Sequence, residues 1–313
     1  MVMKVRNAEG GHGGEPMDAK PMCGVFTILV TPFDGQSRID EESLRRLVDF
    51  NLEAGVHGVG VALGSEVPKL SEGEREQVTR IVVDQVRSQV PVVINTGAAG
   101  TDLAVLYSRA AERNGADALM VMPPAAASES VIDYFQAISD AVGIPIFIQD
   151  TSSAPVPAGL ALQIAQACER VLYIKVERPP TTVSVAETSA KAGDGLTVFG
   201  GAGGTYFIEE MRRGSIGTMP GCSQPEAFVE AWNLHQNGDE SGAREAFDRQ
   251  IAPVNRIAGQ GMDAFFHVHK EILKQRGVIH EAVVRRPTKP IDETTRGELQ
   301  QVIDVLYPAR RSR

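Results

Sequence analysis

The feature that most constrains this chain is an alternation repeated eight times: a short apolar run, a brief turn, then apolar residues at helical spacing. Short Val- and Ile-rich runs bounded by turn residues read as buried strands, and the i, i+3, i+4 pattern reads as an amphipathic helix. The strand runs fall at 24–30, 58–62, 90–95, 118–122, 145–149, 171–176, 196–199 and 215–219. Seven helical stretches follow them in turn, at 40–52, 71–86, 102–114, 129–141, 158–168, 182–192 and 206–213. Short links between unlike elements require parallel strands joined by helical crossovers. Continuous apolar cores such as Ile146-Phe147-Ile148 fit strands covered on both faces. Eight such units close most economically as a (β/α)8 TIM barrel. An open doubly wound sheet is the alternative, but no strand runs into a GxGxxG fingerprint.

From Pro225 onward the pattern is wholly helical, at 226–236, 240–257, 263–275 and 294–306. The expected layout is a flexible N-terminal arm at 1–21, a barrel at 22–223 and a C-terminal helical extension at 224–313. A net charge of -9 leaves no electrostatic footprint for nucleic acid or an anionic membrane. Cys23, Cys168 and Cys222 form no CxxC pair, an odd count that fits a reducing cytoplasm better than a disulfide framework. No run is apolar over the length needed to span a bilayer, and the first 20 residues lack an apolar signal core.

In a barrel of this kind the chemistry sits at the C-terminal ends of the strands. Those ends collect Thr31, Ser65, Glu66, Asn95, Gln149, Asp150, Lys175, Glu177, Gly200 and Gly201, among others. Lys175 is the one lysine there; the other seven fall in tails, loops or helices. It interrupts the apolar run Val171-Leu-Tyr-Ile-Lys-Val176, and burial disfavours an ammonium. A neutral lysine amine is the reagent for imine chemistry on carbonyl compounds; the plainer alternative is a side chain that snorkels from a strand end. Glu177 is two residues on, so strand alternation puts both on one face, as proton carrier or as ion-pair partner. Asp150 reads as a second proton carrier or as a turn former. Gly200-Gly-Ala-Gly-Gly204 could cradle an anion or make a close backbone approach. His267 and His269 are two apart on a helix and face apart, and no metal-ligand spacing occurs.

The order of these pieces resembles the dihydrodipicolinate synthase / N-acetylneuraminate lyase family of class I pyruvate aldolases, over about residues 24–306. Val30-Thr-Pro-Phe33 looks like that family's opening strand, and Gly64-Ser-Glu-Val-Pro-Lys-Leu70 like its carboxylate-binding turn. Asn114-Gly-Ala-Asp-Ala118, Ile174-Lys-Val-Glu177 and Val284-Arg-Arg-Pro287 are similar to its later signatures. The resemblance implies a lysine imine with pyruvate or another 2-oxo acid, no metal or other cofactor, and a homo-oligomer, tetramer or dimer.

Three departures from the family pattern stand out. The turn reads Ala62-Leu-Gly-Ser65, without the expected threonines, which leaves Ser65 and the backbone near Gly64 to hold a carboxylate. Pro123-Pro-Ala125 stands for Pro-Tyr-Tyr, so the family's tyrosine is missing at Ala125. Gln149-Asp-Thr-Ser-Ser-Ala154 lacks the arginine that grips a dicarboxylic ligand. The expected catalytic set is Lys175, Glu177 and Asp150, with Gly64, Ser65, Gln149, Gly200 and Gly201 around the substrate. The reaction expected is aldol cleavage, condensation or dehydration of a 2-oxo acid. A 2-keto-3-deoxy sugar-acid dehydratase and a silent 2-oxo-acid-binding barrel are the alternatives.

Overall fold

The computed structural model describes residues 22–308; the expected N-terminal arm lies outside them. Eight parallel strands form a closed barrel in which each pairs with its sequence neighbour and the last returns to the first. The units run β1 (Gly24–Ile28) and α1 (Glu41–Glu53), β2 (Gly58–Val61) and α2 (Glu72–Val86), β3 (Val92–Asn95) and α3 (Thr101–Arg113). Then come β4 (Ala118–Val121) and α4 (Ser128–Ser139), β5 (Ile146–Asp150) and α5 (Ala158–Ala167), β6 (Val171–Val176) and α6 (Thr181–Ala192). The circle ends with β7 (Thr197–Gly200) and α7 (Phe207–Met211), then β8 (Gly217–Thr218) and α8 (Pro225–Gln236). The eighth strand is shorter than its apolar run: Ser215 N donates to Glu210 O and not across the sheet, while its hydroxyl donates to Gly217 O and accepts from Gly200 N.

Side-chain alternation divides the apolar residues into two layers. Phe26, Ile28, Val93, Met120, Phe147 and Phe199 point inward and fill the barrel. Phe26 and Phe147 meet Phe199 edge to face at 5.3 and 5.4 Å. Val25, Val59, Leu119, Ile148, Ile174 and Val198 point outward into the helical layer. The helices start where local chemistry sets them. Asp40 caps α1 by accepting from Ser43 N, and Ser71 with Glu74 forms a capping box on α2. At the opposite end from the site, His57 Nδ1 accepts from Val25 N at 3.2 Å, a structural role.

Beyond α8 the single helix expected over 240–257 is divided. It forms α9 (Glu240–Ala246), a π-helical turn (Phe247–Ile251) and α10 (Ala252–Ala258). Pro253 accounts for this: it has no N–H, and its ring crowds the preceding turn, which widens. The remaining helices are α11 (Met262–Gln275) and α12 (Glu293–Leu306). With α10 they share a small core of Val254, Ile257, Val268, Ile272, Leu299 and Ile303. Among the described residues no helix is long and apolar enough to cross a membrane.

Candidate active site

Lys175 lies near the C-terminal end of β6 on the inward face, 4% exposed. It pairs across the sheet with Gln149 on β5 and Phe199 on β7. Its Nζ is 2.9 Å from Glu177 Oε1, and the Glu177 side chain is 18% exposed, so the pair is reached from the barrel mouth. Glu177 is held from two further directions. Gln149 Nε2 donates to its Oε2 at 2.9 Å, and Ala202 N donates to Oε1 at 3.1 Å. Asn95 Nδ2 in turn donates to Gln149 Oε1 at 3.4 Å. Burial alone would raise the Glu177 carboxyl, but the Lys175 charge and these hydrogen bonds outweigh it and hold it below the ordinary carboxylate range. The arrangement is a fixed carboxylate presenting one oxygen to one lysine.

Of the residues the sequence points to, Lys175, Glu177 and Gln149 come together, and Asn95, which sequence reading leaves without a role, joins them. Asp150 does not. It is one residue past Gln149, so alternation turns it to the outer face, where Oδ1 accepts from Val156 N at 2.8 Å and lies 3.4 Å from Arg178 Nε. It shapes the β5–α5 turn, and burial pushes its carboxyl up to about 6 against those two partners. The two glycines divide in the same manner. A Cβ on Gly201 would come within 2.8 Å of Lys175 Cε and overlap Glu177 Cγ, so Gly201 lets the loop close behind the pair. Gly200 faces outward, where a Cβ would collide with the buried carboxyl of Glu210.

The turn after β2 also differs from expectation. The Ser65 hydroxyl donates to Leu29 O and accepts from Ala62 N, so its proton is committed to tying β1 to β2. Thr31 Oγ1 donates to Ser65 O at 2.6 Å and completes the lock. Gly64 lies under the ring of Phe265 from α11; a Cβ there would stand 2.9 Å from Phe265 Cε1 and 3.1 Å from Ile28 Cγ2.

Sequence reading also misses a second buried lysine. Lys270 on α11 is fully buried and places Nζ 2.5 Å from Glu66 Oε1 and 2.7 Å from Val283 O. Lys69 Nζ and Arg285 N hold the other Glu66 oxygen, each at 3.0 Å. One signal was available: Phe266, Lys270 and Leu273 share one face of an amphipathic helix, so the lysine lies on its apolar side.

A family model described as the dihydrodipicolinate synthetase family matches residues 21–306. The chain belongs to this family. Its members are lyases. L-2-keto-3-deoxyarabonate dehydratase of Azospirillum brasilense is 27% identical over 91% of this chain and 94% of its own. 4-hydroxy-tetrahydrodipicolinate synthase of Pseudomonas aeruginosa is 32% identical over 75% of this chain and 82% of its own. The crystal structure of dihydrodipicolinate synthase from Rhodopseudomonas palustris superposes with a TM-score of 0.83 at 28% identity, covering 91% of this chain and 97% of that one. Relatives of this chain thus carry both synthase and dehydratase names, and the barrel is shared with the solved synthase.

Proposed function

We propose that this protein is a Schiff-base-forming lyase acting on pyruvate or another 2-oxo acid through an imine at Lys175. The observation that carries the reading is the buried Lys175–Glu177 pair at the barrel mouth, 2.9 Å apart and partly open to solvent on the Glu177 side. Glu177 is placed to take a proton from Nζ, which frees the lone pair to attack the 2-oxo carbon and form a carbinolamine. Returning that proton to the carbinolamine oxygen releases water and leaves an iminium. The iminium draws electrons from the neighbouring carbon, so a C–C bond can form or break there, or a β-hydroxyl can depart. Gln149, fixed by Asn95, keeps the Glu177 carboxylate turned toward Nζ. Within the Gly64–Ser65 turn the substrate carboxylate would have to be met by the Gly64 N–H, because the Ser65 hydroxyl donates to Leu29 O and the Ser65 N–H to Ala62 O.

A second reading, dehydration of a 2-keto-3-deoxy sugar acid by the same imine, is favoured by the L-2-keto-3-deoxyarabonate dehydratase relative. Product analysis separates the two: cleavage gives pyruvate and an aldehyde, whereas dehydration keeps the carbon chain whole. A homo-oligomer, tetramer or dimer, belongs to the proposal, and a monomer by light scattering at micromolar concentration counts against it. The imine itself is tested by reduction with borohydride in the presence of pyruvate. One covalent equivalent on the Lys175 peptide is expected; an adduct on another lysine, or none with any 2-oxo acid, refutes the assignment.

A further inference from the structure

We infer that Glu210, buried behind the end of β7, is a positioning residue for the imine site: its carboxylate, acting through Glu177 across the Gly200–Gly201 strand end, favours movement of the Lys175 Nζ proton onto Glu177.

This strand end has a carboxyl on each side. On the inner side Gly201 lies against Lys175 and Glu177, and Ala202 N donates to Glu177 Oε1 at 3.1 Å. On the outer side Gly200 leaves room for the Glu210 carboxyl, which would collide with any Cβ there. Hydrogen bonds pin the backbone between them: Gly200 N to Ser215 Oγ at 3.0 Å, Met219 N to Gly200 O at 3.1 Å, and Gly204 N to Gly201 O at 2.8 Å. The Glu210 backbone is fixed too, since its carbonyl accepts from Arg213 N and Ser215 N. Yet its carboxyl, in a residue 1% exposed, has no hydrogen-bond partner on either oxygen among the described residues. A methionine would fill that space without the cost of burying an unpaired acid.

The charges that act on Glu210 have its own sign. Glu177 does so from the end of β6 and Glu209 from the same helix, while on α6 the Thr181 hydroxyl favours the carboxylate without a hydrogen bond of sound geometry. Cations of the neighbouring helices are turned elsewhere: Arg244 to Glu209, Arg212 to Glu240, Arg213 to Glu209 O, and Lys191 beside Gly159 of α5. Burial, helped by the two glutamates, pushes the Glu210 carboxyl up to about 7 against the pull of Thr181. Coupling is reciprocal, so an ionised Glu210 raises Glu177 as Glu177 raises it. Moving the proton from Nζ to Glu177 removes the like charge that Glu210 faces. An ionised Glu210 therefore promotes the step that frees the amine lone pair, and a neutral one does not.

The inference rests on the imine reading of Lys175, and the test keeps the two apart. Lys175 reactivity is followed by peptide mass from about pH 5 to pH 9, either side of the Glu210 value. Two reagents are used: pyruvate with cyanoborohydride, and trace acetic anhydride, which needs a free amine but no 2-oxo acid. At the acid end the wild type and Glu210→Gln should react within about twofold of each other. At the alkaline end the wild type should be about tenfold faster, the effect of about one pKa unit on Glu177. In a Glu177→Gln background Glu210→Gln should change neither rate, which a merely structural role does not predict. Thr181→Val should keep the alkaline rise and displace it to higher pH, and it supplies the test where Glu210→Gln does not fold. A wild-type to Glu210→Gln ratio that is flat with pH, an alkaline advantage for Glu210→Gln, or a rise that Thr181→Val leaves in place overturns the inference. If acetylation shows the rise and no oxo acid adds, the imine reading falls alone. If an oxo acid adds and both ratios are flat, the imine stands and the role of Glu210 falls.

Discussion

Among the described residues two lysines, Lys175 and Lys270, are almost wholly removed from solvent, and their surroundings differ in kind. Lys270 donates to Glu66 and to Val283 O and lies 4.4 Å from the centre of the Phe33 ring. Its glutamate is fully buried, gripped by Lys69 and the Arg285 N–H, and left-handed at φ 58°. Nothing can approach that ammonium without unpicking the contact between barrel and extension. Lys175 is nearly as buried, but its polar contact is the single ion pair with Glu177, whose carboxylate is partly exposed at the mouth. Burial and a glutamate partner are common to both sites. Unused donor capacity and an open side belong only to Lys175, and these are what a reagent needs.

The comparison breaks most directly if the wrong lysine reacts. Lys175→Ala should abolish the borohydride-trapped adduct with pyruvate, while Lys270→Ala, where it folds, should keep it; mapping of the reduced peptide decides. Next in size, Glu177→Gln keeps the shape of the site but removes the proton acceptor. Imine formation should slow by about 10²- to 10⁴-fold. Stopped-flow trapping that runs at the wild-type rate would move the proton transfer elsewhere.

Lys270→Met should do the reverse, leaving Glu66 Oε1 buried without its cation. A stability loss of about 1–3 kcal/mol is expected in urea titration, from the hydrogen bonds to Glu66 Oε1 and Val283 O that leave with the amine and not from its charge; Lys69 and Arg285 N still hold Oε2. Glu66→Gln with Lys270→Met should recover much of it. A smaller effect is the pH dependence of the same pair. Burial lowers Lys270 from an ordinary 10.5 to about 8, with the Glu66 charge opposing it. The folded value is below the unfolded one, so the unfolded chain binds this proton more readily. Stability should therefore rise from about pH 8 toward 10.5, by at most about 3 kcal/mol for the 2.5 units between those values. Lys270→Met should remove that slope, and Lys175→Met should not.

The smallest expected effect sharpens the difference in cation supply. Residue 154 is alanine, and Lys175 and Arg178 at the end of β6 are already paired with Glu177 and Asp150. Turnover of aspartate semialdehyde with pyruvate should fall about 10- to 150-fold below that of an authentic synthase, the value of one charge-assisted hydrogen bond. Comparable turnover in a coupled assay would mean that the mouth recruits a cation from one of those pairs.

What the sequence by itself determined is whatever repeats over short distances. Period-two and period-3.6 patterning specified eight strands, their helices and the closed barrel. The same alternation identified Lys175 and Glu177 as neighbours on one face, and it could have set Asp150 apart from Gln149. Only the tertiary structure decided who fills the space around those residues. The Lys270–Glu66 contact joins positions 204 residues apart, and Gln149 reaches Glu177 across 28. The Ser65 proton went to Leu29, and the space over Gly64 went to a ring from the extension. Local patterning fixes which way a side chain points from its own backbone. Which partner it meets depends on how the barrel closes and where the last helices lie against it, and no single segment encodes that.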